Sequence, residues 1–106
     1  MKTKSSKMLR DVFLAFMRVH LLHHASVERI YGLQMIEELR RHGYHMGPGT
    51  LYPILHDLEE SGYLKSEQEI ADGKVRKYYE ITGPGRKMLA QLKAKIRELV
   101  EEVLTA

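Results

Sequence analysis

Apolar positions recur with a helical period in the first half of the chain, switch to a period of two in the middle, and return to a helical period at the end. From Met8 to about His23, Leu9, Val12, Phe13, Phe16, Met17 and Leu21 fall at helical spacing, with Lys7, Arg10 and Arg18 elsewhere on the wheel. That spacing predicts a first helix with a broad apolar stripe. From about Val27 to His42, Tyr31, Met35, Ile36 and Leu39 share one face and Glu37, Glu38, Arg40 and Arg41 the other, with Gly43 placed as a C′ cap. This predicts a second helix. Leu51, Ile54, Leu55 and Leu58 stand at i, i+3, i+4 and i+7 before Gly62, predicting a third.

After Gly62 the run YLKSEQEI, the turn ADGK and the run KVRKYYEIT alternate in polarity, and Asp72-Gly73 is a strong hairpin signal. Thr82 reads as the N-cap of a last helix, with Pro84 tolerated in its first turn, running to about Leu104. Leu89, Leu92, Ile96, Leu99 and Val103 step by three, four, three and four, which is a heptad seam; Lys93, Lys95, Arg97, Glu98, Glu101 and Glu102 lie off it. The order helix, helix, helix, hairpin, helix predicts an α+β fold, mostly α: a winged helix-turn-helix over residues 1–82, with the wing at about 63–82. Residues 83–106 would add a C-terminal dimerisation helix to the same compact unit.

The stretch MGPGTLYPILH, residues 46–56, opens the third helix with two prolines and two glycines. A start at Pro48 would leave Pro53 in the interior, at a cost of ~3 kcal/mol or more. A start with Thr50 as N-cap makes Pro53 the third helical residue, where its missing N–H has no intrahelical partner anyway. The second register is therefore the expected one. It turns Gly47-Pro48-Gly49 into a stiff turn ahead of a helix N-terminus whose free N–H groups and positive dipole end suit a phosphate. Thr50, Tyr52, Pro53 and His56 lie early on the outward face and Asp57 and Glu60 late, as expected of a helix entering a major groove by its first turns.

Lys74, Arg76 and Lys77 cluster with Tyr78 and Tyr79 just past the hairpin turn. Lysine and arginine there would neutralise phosphates, and tyrosine hydroxyls would donate to phosphate oxygens. On this strand Val75 and Ile81 are expected inward, with Arg76 and Tyr78 sharing the other face.

Charge and composition narrow the field. The 106 residues fit one domain, and 17 Lys plus Arg against 14 Asp plus Glu give a net charge of +3, a mild excess whose placement matters more than its size. The absence of cysteine removes disulfides, thiolate metal sites and a cysteine nucleophile together. No stretch approaches the ~18 apolar residues of a membrane span, so a cytoplasmic protein with no membrane partner is expected. The serines lack a paired base and there is no Gly-rich phosphate loop, so neither an enzyme nor a bound cofactor is expected.

Tyr31-Gly32, GTLYPILHDLEESGYL, and GKVRKYYEIT followed by a helix containing Gly85 together closely resemble the PadR family of transcriptional regulators, over about residues 30–90. The short C-terminal extension is similar to the smaller subgroup with a single dimerisation helix. The resemblance implies a homodimeric winged-helix repressor bound to a roughly palindromic operator in double-stranded DNA, released by a small apolar or phenolic effector. Carried over by position, Thr50, Tyr52, Pro53 and His56 fall on the recognition helix and Lys74, Arg76, Lys77 and Tyr78 on the wing. The segment HHASVER before Tyr31 departs from the family pattern, being longer and more polar than the tight turn typical there.

The seam gives a physical reason for a dimer, since its residues are worth ~1.5–3 kcal/mol each when buried on a partner. Phe13 and Phe16 on the first helix would join Leu89, Leu92, Ile96, Leu99 and Val103 in that interface. Phe13, Phe16, Met17 and Met88 could also line an apolar effector pocket. Two rival readings stay open. His20 and His24 at i, i+4, with His23, could approach one metal ion, although histidines at a helix C-terminus also complement its dipole and no metal ligand set is expected. A winged helix used only for protein contacts would leave the basic wing unexplained.

Overall fold

Helical periodicity and glycine stops set most boundaries in the computed structural model, which describes residues 4–105 and leaves residues 1–3 and the final alanine outside the description. The elements are α1 (Lys4–Val27), β1 (Ile30–Tyr31), α2 (Gly32–Arg41), α3 (Pro48–Glu60), β2 (Leu64–Ala71), β3 (Lys74–Ile81) and α4 (Gly83–Leu104). The strands form one antiparallel sheet in the order β1-β3-β2, so the fold is the expected α+β winged helix, mostly helical.

Three boundaries differ from the expectation. The segment expected as a polar connection after His23 stays helical to Val27: it holds neither Gly nor Pro, and Ala25 is buried on the core side. The second helix consequently begins at Gly32 rather than near Val27, with the Tyr31 N–H donating to Gln34 Oε1 at 3.2 Å. Between them, Ile30 and Tyr31 pair with Tyr79 and Tyr78 and add a third strand to the expected hairpin. A two-residue strand has no periodicity to display.

The third correction is the start of α3. Its N-cap is Gly47 and not Thr50, because Pro48 occupies the first helical position, where a fixed φ and a missing N–H are favourable. The Gly47 carbonyl accepts from both Thr50 and Leu51 N–H at 3.1 Å. Pro53 thus lies inside the helix. Pro53 has no N–H to give the carbonyl four residues back, that of Gly49, but both residues are exposed, and the burial of Leu51, Ile54, Leu55 and Leu58 on the other face holds the helix through it.

Glycine ends α2 and α3 in the same way. Gly43 (φ 87°) and Gly62 (φ 84°) take the left-handed conformation. The following Tyr44 and Tyr63 N–H groups donate back to Leu39 and Leu58 carbonyls at 3.0 Å, which is the Schellman pattern. The wing turn is as expected: Asp72 and Gly73 both have positive φ, with Ala71 opposite Lys74. At the base of α4, Thr82 Oγ1 accepts from Gly85 N–H at 3.0 Å, the expected cap.

Met17, Leu21 and Leu22 of α1, Ile30, the apolar faces of α2 and α3, Leu64, Tyr79, Ile81 and Leu89 form one core, and among the described residues no polar or charged side chain is buried in it. Val75 is on the same strand face as Tyr79 and Ile81 but is 68% exposed, correcting its inward expectation: the hairpin tip extends beyond the elements that cover its base. Leu89, expected in a dimer seam, is 4% exposed and belongs to the chain's own core, with Leu92 packed partly against it.

Candidate nucleic-acid interface

Helix α3 presents its first turns outward. Pro53 and His56 are exposed, Thr50 is half-buried, and Tyr52 is 40% exposed. Tyr52 has a packing role as well: a Cβ built on Gly32 would stand 2.3 Å from its hydroxyl, so only glycine at the start of α2 lets this ring lie there. Of the N-terminal donors expected to be free, Pro48 has none, and Thr50 and Leu51 bond inside the turn. Gly49 N–H is left for an outside acceptor, a smaller anion-binding capacity than a Thr50 cap would have offered. His56 Nε2 lies 3.1 Å from Glu60 Oε1, one turn on.

The far end of α3 is tied to the wing. Ser66 Oγ donates to Glu59, and Lys77 Nζ lies 3.6 Å from the same carboxylate. The Ser66 hydrogen bond above all, then Lys77, holds the Glu59 carboxyl below the usual carboxylate range and keeps it ionised. Lys77 is therefore directed at α3 through Glu59.

The opposite face of the sheet carries a stack that motif reading missed. The Arg29 guanidinium lies 4.0 Å from the Tyr78 ring centroid, and that of Arg76 lies 4.1 Å from Tyr31. The two rings meet edge to face at 5.5 Å. Arg29 also grips Glu69 with both terminal nitrogens, Nη2 to Oε1 at 3.0 Å, and this contact pulls the Glu69 carboxyl below its usual range. Arg29 and Tyr31 are over forty residues from their partners on β3, so no local spacing announces them; the only signal was aromatic and cationic residues at both places.

Of the four expected wing residues, Arg76 and Tyr78 thus share a face as foreseen but are engaged with Tyr31 and Arg29, and Lys77 is engaged with Glu59. Lys74, beside the turn, is exposed and has no hydrogen-bond or ion-pair partner among the described residues.

The histidines gather between α1 and α2. His20 stacks on His42 at 5.4 Å and on His24 at 6.4 Å, and Glu38 lies 3.2 Å from His42 Nε2 and 4.0 Å from His24 Nε2. Stacked rings present faces to each other instead of converging lone pairs, and among the described residues no group of three or more His, Asp or Glu side chains could hold a metal ion. Burial, then the neighbouring imidazoles, pushes His20 below its usual pKa; burial also lowers His24 against the pull of Glu38.

A second exposed surface is apolar. Leu9, Val12, Phe13 and Phe16 on the first half of α1, and Ile96, Leu99, Val100, Val103 and Leu104 on the last half of α4, are all exposed. An open groove of about 680 Å³ runs from Leu9, Phe13, Leu14 and Met17 past Tyr44 and Met46 to Thr50. Among the described residues no helix is long and apolar enough to cross a membrane.

Comparison with known proteins supplies independent findings. Residues 21–91 match the family described as "Transcriptional regulator PadR-like family". The chain is 45% identical over 96 residues to the transcriptional regulator Rv3488 of Mycobacterium tuberculosis, covering 91% of this chain and 90% of that protein. It superposes on a PadR family transcriptional regulator from Eggerthella lenta with a TM-score of 0.81 at 30% identity, covering 95% of this chain and 89% of that one. A transcriptional regulator from Clostridium thermocellum matches with a TM-score of 0.75 at 30% identity, over 90% and 95% of the two chains.

Proposed function

The chain belongs to the PadR-like family of transcriptional regulators, and from that premise we propose that it is a homodimeric repressor of a palindromic operator. As a transcriptional regulator it is not an enzyme. The observation that carries the DNA-binding reading is the pairing of an outward recognition-helix start at Thr50, Tyr52, Pro53 and His56 with an unpaired Lys74 at the wing tip. Helix residues early in α3 would read base edges, while Lys74 and the Gly49 N–H would hold phosphates.

The apolar band supports the dimer. Ile96, Leu99, Val103 and Phe16 leave water when a second copy covers them, and at ~1.5–3 kcal/mol per fully buried side chain a few such residues suffice for association. A twofold arrangement would set two recognition helices ~34 Å apart, one DNA turn, hence a palindromic site. The groove from Leu9 to Thr50 supports release by a small apolar or phenolic effector, since its far wall is the turn that starts the recognition helix.

Titration of genomic fragments against the protein at several salt concentrations tests the reading. Affinity should fall linearly with log salt, and Lys74→Ala should lower that slope by about one. No binding, or binding indifferent to salt, would overturn it.

A further inference from the structure

The β2–β3 hairpin extends past the core: Ile70 and Val75, paired across the strands near its tip, are 80% and 68% exposed. A two-stranded ribbon twists readily and is marginal by itself. A wing that carries Lys74 to a phosphate must nevertheless hold that lysine at one height relative to α3. The strand register shows what restrains it. Ser66 and Lys77 tie one face to Glu59 of α3. On the other face, the Tyr78 and Tyr31 rings meet edge to face, with the Arg29 guanidinium on the first and that of Arg76 on the second, closed at the Arg29 end by Glu69.

We propose that this four-membered stack is a brace that sets the angle of the wing, and that Arg29, Tyr31, Arg76 and Tyr78 are positioning residues for DNA binding rather than DNA contacts. The inference rests on the DNA-binding reading above. Its geometry is specific. Arg29 lies two residues beyond the end of α1, and Tyr31 is the N-cap of α2, so the brace fastens the hairpin to both helices that frame the helix-turn-helix. Glu69 and Arg76 are cross-strand partners, as are Glu67 and Tyr78, so the stack covers the middle of the ribbon below the tip. Planar guanidinium suits the role, since it can lie on a ring and still hold a carboxylate bidentately at its edge, as Arg29 does. With one face on the Tyr78 ring and both terminal nitrogens on Glu69, Arg29 has little left to offer a phosphate.

The brace and a set of phosphate contacts predict different salt behaviour. Removing a phosphate contact lowers the slope of log affinity against log salt by about one, whereas removing a positioning residue lowers affinity at every salt concentration and leaves the slope unchanged. The experiment uses the full chain and one bound DNA fragment, with Lys74→Ala as the reference phosphate variant. Arg29→Ala and Arg76→Ala are expected to weaken binding about five- to thirtyfold, the range of one or two lost cation–π contacts, at an unchanged slope. Tyr78→Phe keeps the ring and should bind within about twofold of the original, while Tyr78→Ala should behave like Arg29→Ala. Amide hydrogen exchange adds a readout that needs no DNA: in Arg29→Ala, exchange should quicken in residues 66–77 and not in α2 or α4, with the urea midpoint little changed.

A slope lowered by about one in Arg29→Ala or Arg76→Ala would make these residues phosphate contacts and overturn the brace. Undiminished affinity in both variants, or exchange that quickens throughout the molecule, would overturn it too. If the original chain bound no DNA at all, the function itself would fail, and unchanged exchange in the wing of Arg29→Ala would separately dispose of the brace.

Discussion

Gly85→Ala is expected to destabilise the fold even though alanine is the better helix former. Gly85 is the third residue of α4 and buried against the turn between α3 and β2. A Cβ there would stand 2.1 Å from the Tyr63 carbonyl oxygen, 3.0 Å from its carbon and 2.8 Å from Ile81 Cγ1, and real Cβ atoms do not come within 3.0 Å of such neighbours. The obstacle is backbone that cannot rotate away. The Tyr63 carbonyl accepts from Thr82 N–H at 3.1 Å, and Thr82 Oγ1 in turn donates to the Gly62 carbonyl at 2.6 Å and caps Gly85. Relieving the overlap means lifting the start of α4 off this turn. Overpacking of this kind costs ~1–3 kcal/mol and a strained hydrogen bond adds ~0.5–1.5 kcal/mol, against ~1 kcal/mol that alanine returns through helix propensity. The net loss is about 2 kcal/mol, or about 10 °C in Tm for a chain of this size. Urea unfolding at matched protein concentration measures it, because a dimer makes the midpoint concentration-dependent. Gly83→Ala, where a Cβ meets nothing within 4 Å, is the control and should be neutral or stabilising. A Gly85→Ala chain as stable as the original would refute the packing argument.

Other consequences are equally direct. Lys77→Ala should change the salt slope of DNA binding by much less than Lys74→Ala, because Lys77 already faces Glu59; equal slopes would return Lys77 to the phosphate contacts. Stability should be full above pH 6.5 and decline as pH falls below it. The unfolded chain's histidines take up protons near 6.5, while His20 and His24 in the fold bind theirs only at lower pH. Replacing His20 with glutamine should flatten that decline, and an identical profile in the variant would show that the cluster does not cause it. Leu99→Asp with Val103→Asp should give a monomer by light scattering without loss of helical signal, since both side chains are exposed on the single chain; a dimer that persisted would move the interface elsewhere.

Relations within a few residues were legible in the sequence, because they depend on backbone geometry that travels with the residues. The apolar faces of the helices, the left-handed stops at Gly43 and Gly62, the Asp72-Gly73 turn and the Thr82 cap all fall where spacing and residue type put them. The start of α3 was a contest between two local rules, a proline suited to the first position and a proline unsuited to the interior. The burial of Leu51 through Leu58 against the core allowed Gly47 and Pro48 to prevail over Thr50. Tertiary structure alone decided whatever joins distant segments. It paired Ile30 and Tyr31 with β3, set Tyr52 against the bare Cα of Gly32, drew Leu89 into the core and turned Arg76, Lys77 and Tyr78 toward partners on other elements. A side chain's periodicity declares which face it occupies; whether a partner already waits on that face depends on chain distant in sequence, and in this wing that separates Lys74, unpaired among the described residues, from its engaged neighbours.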